Sequence, residues 1–214
     1  MKRGCVAMAG LVLFLGGCAL VGPNAKVDYY QLDYPATKAL KASKVNTILG
    51  IRRFGIASAY DHDRLVVREK GLKTSSSYYH RWISNPRMML SDLLLRDLLE
   101  SSVYRAVVMM PANVMPDFEI SGFVQQIVKD DSVAPSRVLV SLDVTLLRSP
   151  VAREQSHVMF QKSYVAEIPC PEGTPSGVAK FMSQATREIS LKIQNDVLEA
   201  VKKEVPEALL ALTP

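Results

Sequence analysis

The sequence predicts an α+β fold: a single domain with a mainly antiparallel sheet, two principal helices packed on it, and a long C-terminal helix. Three observations predict it. Residues 137–148 alternate with period two, Val138, Val140, Leu142, Val144 and Leu146 against Ser141, Asp143 and Thr145. Residues 88–99 and the stretch after Thr174-Pro175 carry apolar stripes at helical spacing. The connections between the three longest strand candidates, marked by Asp130, Asp131 and Pro135 and then by Pro150, leave no room for the crossovers that parallel neighbours need. They suit an antiparallel meander.

In chain order, residues 28–32 form a first short strand before Pro35, and Thr47, Ile48 and Ile51 make 46–54 a second. Residues 64–68 (RLVVR) are a third and 78–82 a further short one, with the serine-rich 74–77 between them as a turn or an edge. The period then changes. Asn85 is an N-cap candidate and Pro86 occupies the first helical position. Met89, Leu93, Leu94, Leu95, Leu98 and Leu99 form the apolar stripe of this helix, with Asp92, Arg96, Asp97 and Glu100 assigned to the opposite side.

Residues 105–110 (RAVVMM) read as a buried strand closed by Pro111. Residues 117–129 place Phe118, Ile120, Val124 and Val128 on one face, and 155–168 group Val158, Phe160, Tyr164 and Ala166. The last helix carries Val178, Phe181, Met182, Ala185, Ile189, Ile193, Val197 and Val201 inward, with Glu188, Lys192, Gln194 and Glu199 outward, until Pro206 stops it. There is no repeat at solenoid spacing and no low-complexity tract.

The N-terminus addresses the compartment. Lys2 and Arg3 precede an uncharged run over 6–15, the layout of a secretory signal, and the run is too short for the roughly 20 residues of a spanning helix. Leu15-Gly16-Gly17-Cys18 resembles a bacterial lipobox, in which the thiol receives a diacylglycerol, the chain is cut before the cysteine and the new amine is acylated. The alternatives are an ordinary signal with an incidental cysteine or a buried apolar start of the fold. A basic start, a short apolar run and small residues before the cysteine together favour lipidation of Cys18. Residues 1–17 are then a signal peptide, 18–27 a lipidated tether with Gly22, Pro23 and Asn24, and 28–214 the folded domain. Each buried methylene contributes about 0.8 kcal/mol, and two or more acyl chains anchor stably. Ala19, not aspartate, follows the cysteine, which by the enteric sorting rule favours the outer membrane.

Removing the signal from the 214 residues takes Lys2 and Arg3 with it, and the formal charge falls from +5 to +3. So mild a balance gives no basic stripe for nucleic acid. Of the three cysteines only Cys170 stays in the folded part, between two prolines, with no second thiol to pair with and no histidine constellation to activate it. His62, His80 and His157 are scattered, and no CxxC or HxxxH metal spacing occurs. GxSxG, SxxK and phosphate-cradling glycine loops are also missing, so no catalytic residues are assigned. Asp61-His62-Asp63 could attract a cation, but a solvated loop before a strand is the plainer reading.

One patch stands out: Tyr78, Tyr79, His80, Arg81 and Trp82, which holds the only tryptophan. Aromatic residues interleaved with histidine and arginine have the composition of interface hot spots. The competing reading is that Tyr79 and Trp82 pack beneath the following helix.

Around this patch, YYQL, IRRFGIASAYDHDRLVVRE, YYHRWISNPRMMLSDLLLRDLLESSVYRAVV and DFEISGFV follow in order. The sequence resembles the ABC-type transport auxiliary lipoproteins, the PqiC-like family, in the stretch from Asp117 to Gly122 and most specifically in Tyr79-His80-Arg81-Trp82 leading to Pro86 and the helix. Val67 stands where that family's strand has tyrosine, and the serine-rich 74–77 also departs from it.

The resemblance implies an outer-membrane lipoprotein on the periplasmic face of a Gram-negative envelope. It implies partnership with an MCE-domain protein and ABC transporter components that move lipids or other apolar molecules, with no catalytic residues and no cofactor beyond the covalent lipid at Cys18. Relatives of this kind can form rings, so a homo-oligomer is admitted. Two other expectations fit the same anchor: an assembly or pilot lipoprotein for an outer-membrane barrel or secretin, and a periplasmic lipid carrier. The candidate partner-binding residues are Tyr78, Tyr79, His80, Arg81 and Trp82.

Overall fold

A computed structural model gives the fold and describes residues 26–36, 44–149 and 156–204. The signal peptide, Cys18, most of the tether and the region of Pro206 lie outside the described residues. The nine strands and two helices are β1 (Asp28–Tyr30), β2 (Val45–Arg52), β3 (Gly55–Ile56), β4 (Arg64–Arg68), β5 (Thr74–Trp82), α1 (Pro86–Ser101), β6 (Tyr104–Met110), β7 (Phe118–Asp130), β8 (Arg137–Arg148), β9 (His157–Pro169) and α2 (Pro175–Glu204). All strands join one sheet, and the domain is α+β with the long C-terminal helix.

The spine is β7. One edge pairs antiparallel with β8 over its whole length, Phe118↔Arg148 to Asp130↔Arg137, and β8 pairs antiparallel with β9. This is the expected meander. The other edge of β7 is shared in turn by three parallel neighbours: β2 at Leu49↔Phe118, β3 at Gly55↔Phe123 and β4 at Val67↔Lys129. Outside them, β6 runs parallel to β2, β5 antiparallel to β4, and β1 parallel to β5.

The sheet is therefore mixed, and the short parallel ladders are what the sequence did not announce. Stagger makes them possible. β7 starts level with Leu49, before β2 ends, so the loop from Pro111 to Asp117 only has to fold back across β2. It crosses at Gly50, where a Cβ would sit 2.8 Å from Pro116 Cγ; glycine leaves room for the loop.

Several expectations are adjusted by local geometry. Residues 74–77 are strand, bonded to β4 on one side and bare of β1 on the other, so the edge reading holds over the turn. In β7 a bulge between Val124 and Gln126 inverts the alternation. Ile127 then joins Ile120 and Val124 in the main core, whereas Val128 packs with Val66 and Leu139 in a small cluster on the other face. A second irregularity, between Leu146 and Leu147 of β8, leaves Val158 54 % exposed and turns Met159 toward the core.

Both helices cover one face. Leu90, Leu94 and Leu98 of α1 and Met182, Ile189, Ile193 and Val197 of α2 meet Leu49, Ile51, Ile120, Val140, Leu142 and Val144 in one core. Each such side chain contributes about 1.5–3 kcal/mol by burial. α1 begins as expected: the Asn85 side chain accepts the Arg87 N–H at 3.1 Å and Pro86 follows. It ends at Ser102, in the left-handed region at φ 53.

Asp97 corrects the sequence reading. It is wholly buried, not solvent-facing, because it lies three and four residues after Leu94 and Leu93 and so on their stripe. Its Oδ2 accepts Tyr34 O–H at 2.7 Å and Ser190 O–H at 2.6 Å, and its Oδ1 accepts Arg96 Nη2 at 2.9 Å. Gln194, assigned to the outer side of α2, is likewise buried and donates to Ser190 Oγ at 3.2 Å.

Burial, reinforced by Asp97, pushes the Tyr34 hydroxyl well above its usual range; burial does the same for Tyr104, and burial with Asp196 for Tyr164. A folded-state value above the unfolded one gives stability that is complete below about pH 10 and is lost as pH rises beyond it. On alkaline titration followed at 295 nm, three of the eight tyrosines should stay protonated until the fold gives way. Ionisation of all of them near pH 10 with native circular dichroism retained contradicts this. Replacing Asp97→Ala should lower urea-unfolding stability by about 3–5 kcal/mol, against roughly 0.5 kcal/mol or less for the exposed Asp92→Ala.

Candidate functional site

The sequence-nominated patch lies where β1 joins β5. The parallel ladder sets Asp28 beside His80, Tyr29 beside Arg81 and Tyr30 beside Trp82. On the other side of β5 the ladder to β4 skips from Val66↔Ser76 to Arg64↔Arg81, so Ser77, Tyr78, Tyr79 and His80 stand opposite Leu65 alone. This wide bulge pushes the two tyrosines outward. Small serines before it let the chain turn tightly: Ser77 Oγ accepts the His80 N–H at 3.0 Å, and Arg81 Nε donates to the Tyr78 carbonyl at 3.0 Å.

The five candidates do not stay together. Tyr78 and Tyr79 are 59 % and 46 % exposed and meet edge to face with ring centres 5.1 Å apart. Arg81 lies over the Tyr78 ring at 5.1 Å and pairs with Asp63 at 3.3 Å, so its guanidinium is held in place. His80 is half-buried, with Nδ1 3.4 Å from the Tyr30 hydroxyl and the two rings edge to face.

Trp82 is different. It is 2 % exposed and among the largest fully buried side chains, so it belongs to the core and cannot touch a partner directly. Alternation explains the split, because Trp82 lies beyond the bulge where regular strand geometry resumes.

One tyrosine that the linear sequence left out completes the surface. Tyr29 is 57 % exposed and is brought there only by the β1–β5 pairing, and Ile83 just beyond is also open. A sequence signal existed: both paired segments contain a Tyr-Tyr doublet, Tyr29-Tyr30 and Tyr78-Tyr79. Burial, with Asp28 adding to it, pushes the Tyr30 hydroxyl up and keeps it a neutral donor.

Beside the patch, an open groove of about 600 Å³ runs between the chain from Tyr29 to Pro35 and α2, with Lys180, Ser183 and Arg187 on the helix side. Asp33 N–H donates to Ser183 Oγ at 3.0 Å and fixes the groove floor.

The other chemical candidates are occupied by structure. Asp61 accepts from Asn85 Nδ2 at 2.8 Å and lies 3.8 Å from Arg87, Asp63 is paired with Arg81, and His62 Nδ1 accepts the Arg64 N–H at 3.1 Å. Among the described residues, no three His, Cys, Asp or Glu gather as a metal site would require. Cys170 is buried, burial pushes its thiol up, and its Sγ donates to the Glu172 carbonyl at 3.3 Å. That is the opposite of an activated nucleophile. Among the described residues, no helix is long and apolar enough to cross a membrane.

Comparison with known proteins gives the arrangement a context. The family model described as the ABC-type transport auxiliary lipoprotein component matches residues 30–194. Among solved structures, protein XCC0632 of Xanthomonas campestris, assigned to DUF330, superposes with a TM-score of 0.74 at 17 % identity, over 83 % of this chain and 98 % of that one. A second, uncharacterised protein superposes with a TM-score of 0.63 at 14 % identity, over 80 % of this chain and 99 % of that one. At these identities the structures speak for the fold. No curated protein matches the sequence.

Core and surface within the patch are separable by stability. Trp82→Ala should cost about 3–5 kcal/mol in chemical denaturation, as large aromatic truncations in a core do. Tyr79→Ala should cost roughly 1 kcal/mol or less. Equal losses for both would show that Tyr79 is core too.

Proposed function

This chain belongs to the ABC-type transport auxiliary lipoprotein family, and from that membership we propose that it is a non-enzymatic, outer-membrane-tethered adaptor. It docks an MCE-domain partner of a transport system that moves lipids or other apolar molecules across the periplasm, and so supports envelope integrity. The single observation that carries the docking role is the exposed Tyr29, Tyr78 and Tyr79 surface, held by the Arg81–Asp63 pair beside the strand that continues the tether.

The physics of the anchor supports this reading. Cys18 carries the lipid, and Asp28 follows ten positions later. A chain of that length reaches at most about 35 Å, so β1 and the tyrosine surface stay close to the membrane. Confinement to a plane raises the effective concentration of the surface near any partner that spans the periplasm. Tyrosine and arginine supply amphipathic contact at low entropic cost, the composition that dominates interface energetics. His80 and Arg81 complete the docking surface, and Trp82 supports it from below.

Two measurements test the proposal. Mass spectrometry of the N-terminal peptide from native membranes should find it starting at an acylated Cys18, and Cys18→Ser should leave the protein uncleaved and unlipidated. In a detergent pull-down, the double substitution Tyr78→Ala with Tyr79→Ala should reduce recovery of the MCE-domain protein about tenfold, equivalent to 1.4 kcal/mol, with the melting curve unchanged. Co-purification of a barrel protein alone would transfer the role to outer-membrane assembly.

A further inference from the structure

The sheet ends in three strands that are unlike one another. β1 is only three residues long. β9 carries Lys162 and Glu167 and a register irregularity near Val158, devices that usually blunt an edge. β6 has only one of these, the charge of Arg105. Its inner edge is bonded to β2 from Val45↔Tyr104 to Arg52↔Met110, and its outer edge has no partner strand among the described residues.

The strand reads YRAVVMM, with one charge, Arg105, near its start, no proline and no bulge of its own. The irregularity in that ladder falls on β2, between Val45 and Ile48. Every residue from Ala106 to Met110 is half-buried, so these side chains form the rim of the core.

Apolar surface continues past both ends. After Met110 the chain turns outward, and Val114 and Met115 are 45 % and 69 % exposed. They line an open cavity of about 480 Å³ with Met110, Pro116 and Arg148. At the other end Leu99, on the helix that packs against β6, is 50 % exposed.

Two properties define what fits here. A row of backbone N–H and C=O groups, repeating about every 3.3 Å, is satisfied by another extended chain and not by a helix or a lipid tail. Charge narrows the choice. Arg105 is exposed and without an ion pair among the described residues, whereas Arg148, at the far end, is paired with Glu204.

We propose that β6 accepts, by strand addition, an extended segment of a partner protein with apolar side chains at alternate positions and a carboxylate opposite Arg105. A second copy of this chain complements the edge less well. Antiparallel self-pairing sets Arg105 against the apolar Met110 end, and parallel pairing sets arginine beside arginine. The inference shares with the preceding reading only the premise of a protein partner, and it does not use the tyrosine surface.

The test uses the full-length protein in intact envelopes with a photo-crosslinking residue, Met109→p-benzoylphenylalanine, and sequencing of the joined peptides. The expected product is one segment of another polypeptide with alternate apolar residues and an Asp or Glu. Adding Val108→Lys, an edge-blocking charge, should cut its yield about tenfold with helical circular dichroism retained. Products joined only to this chain, only to lipid, or to nothing above the dark control overturn the proposal. A parallel crosslinker at Tyr79 separates the two readings: product at 79 without product at 109 refutes strand addition alone, and the reverse refutes the tyrosine surface alone. Should Val108→Lys unfold the protein, amide hydrogen exchange decides on the unaltered chain. Residues 104–110 must exchange more slowly in envelopes than after purification, and equal exchange overturns the proposal.

Discussion

A carboxylate shut away from water has to be surrounded by donors, and Asp97 is where this fold meets that requirement. Tyr34 comes from the irregular segment after β1, Ser190 from the middle of α2, and Arg96 from the preceding position of α1. Three parts of the chain far apart in sequence thus converge on two oxygen atoms. Arg96 also covers the Tyr34 ring at 4.6 Å and reaches Asp33 at 3.5 Å, so the cation that neutralises the acid also clamps the segment that brings Tyr34. An arrangement this demanding contributes geometry more than net energy, because desolvation offsets most of the Coulomb gain. Its consequence is positional. With Leu32 and Tyr34 buried, residues 31–35 lie fixed against α2, and β1 is held in the register that sets Tyr29 beside Arg81.

The second constraint is length. β7 is 13 residues long and offers one uninterrupted edge to β8. The opposite edge is divided among β2, β3 and β4, none of which covers more than part of it. Two separate wings result, β2 with β6 near the start of β7 and β4 with β5 and β1 near its end. The second wing is stitched by Asp130. Burial alone would raise this carboxyl, yet Ser132 donates to it through side chain and backbone, and Arg68 and Arg137 lie beside it, so it is held below the usual carboxylate range. β4, β7 and β8 are joined there by charge, where only the small cluster of Val66, Val128 and Leu139 packs beneath.

What the sequence disclosed and what it withheld follow the same physics. Period two in 137–148 and an Asn-Pro start at 85–86 are local signals, and the structure places β8 and α1 accordingly. Bulges are not local signals. Nothing in the order Val124-Gln125-Gln126-Ile127-Val128 announces which valine turns inward, because the partner strand decides. Asp97 was legible only if spacing outweighed charge, since its place on the Leu93–Leu94 stripe was in plain view. The tyrosine surface divides in the same way. Tyr78 and Tyr79 are visible as a composition, Trp82 stands between surface and core because composition cannot tell a bulge from a regular strand, and Tyr29 needs a parallel pairing across some fifty residues of sequence.

The two wings give the molecule two addresses. Following the register from Tyr29 through Arg81 and Arg64 reaches β7 near Gln126, and following it from Val107 through Leu49 reaches Phe118. These levels lie roughly 25 Å apart along the strand. The wing that continues the N-terminal chain presents polar aromatic side chains on a bulge, whereas the far wing presents an apolar strand whose outer edge has no partner strand among the described residues. Side chains recognise a folded surface and a bare strand edge recognises an extended chain, so the wings do not compete for one partner element. A lipid at the N-terminal end, as proposed above, would give the domain reason to keep its two surfaces distinct. On that proposal the tyrosine surface would work at short range, with groups that tolerate head groups and water, as tyrosine does. The apolar edge would then lie a strand's length from a membrane that offers it no hydrogen bonds.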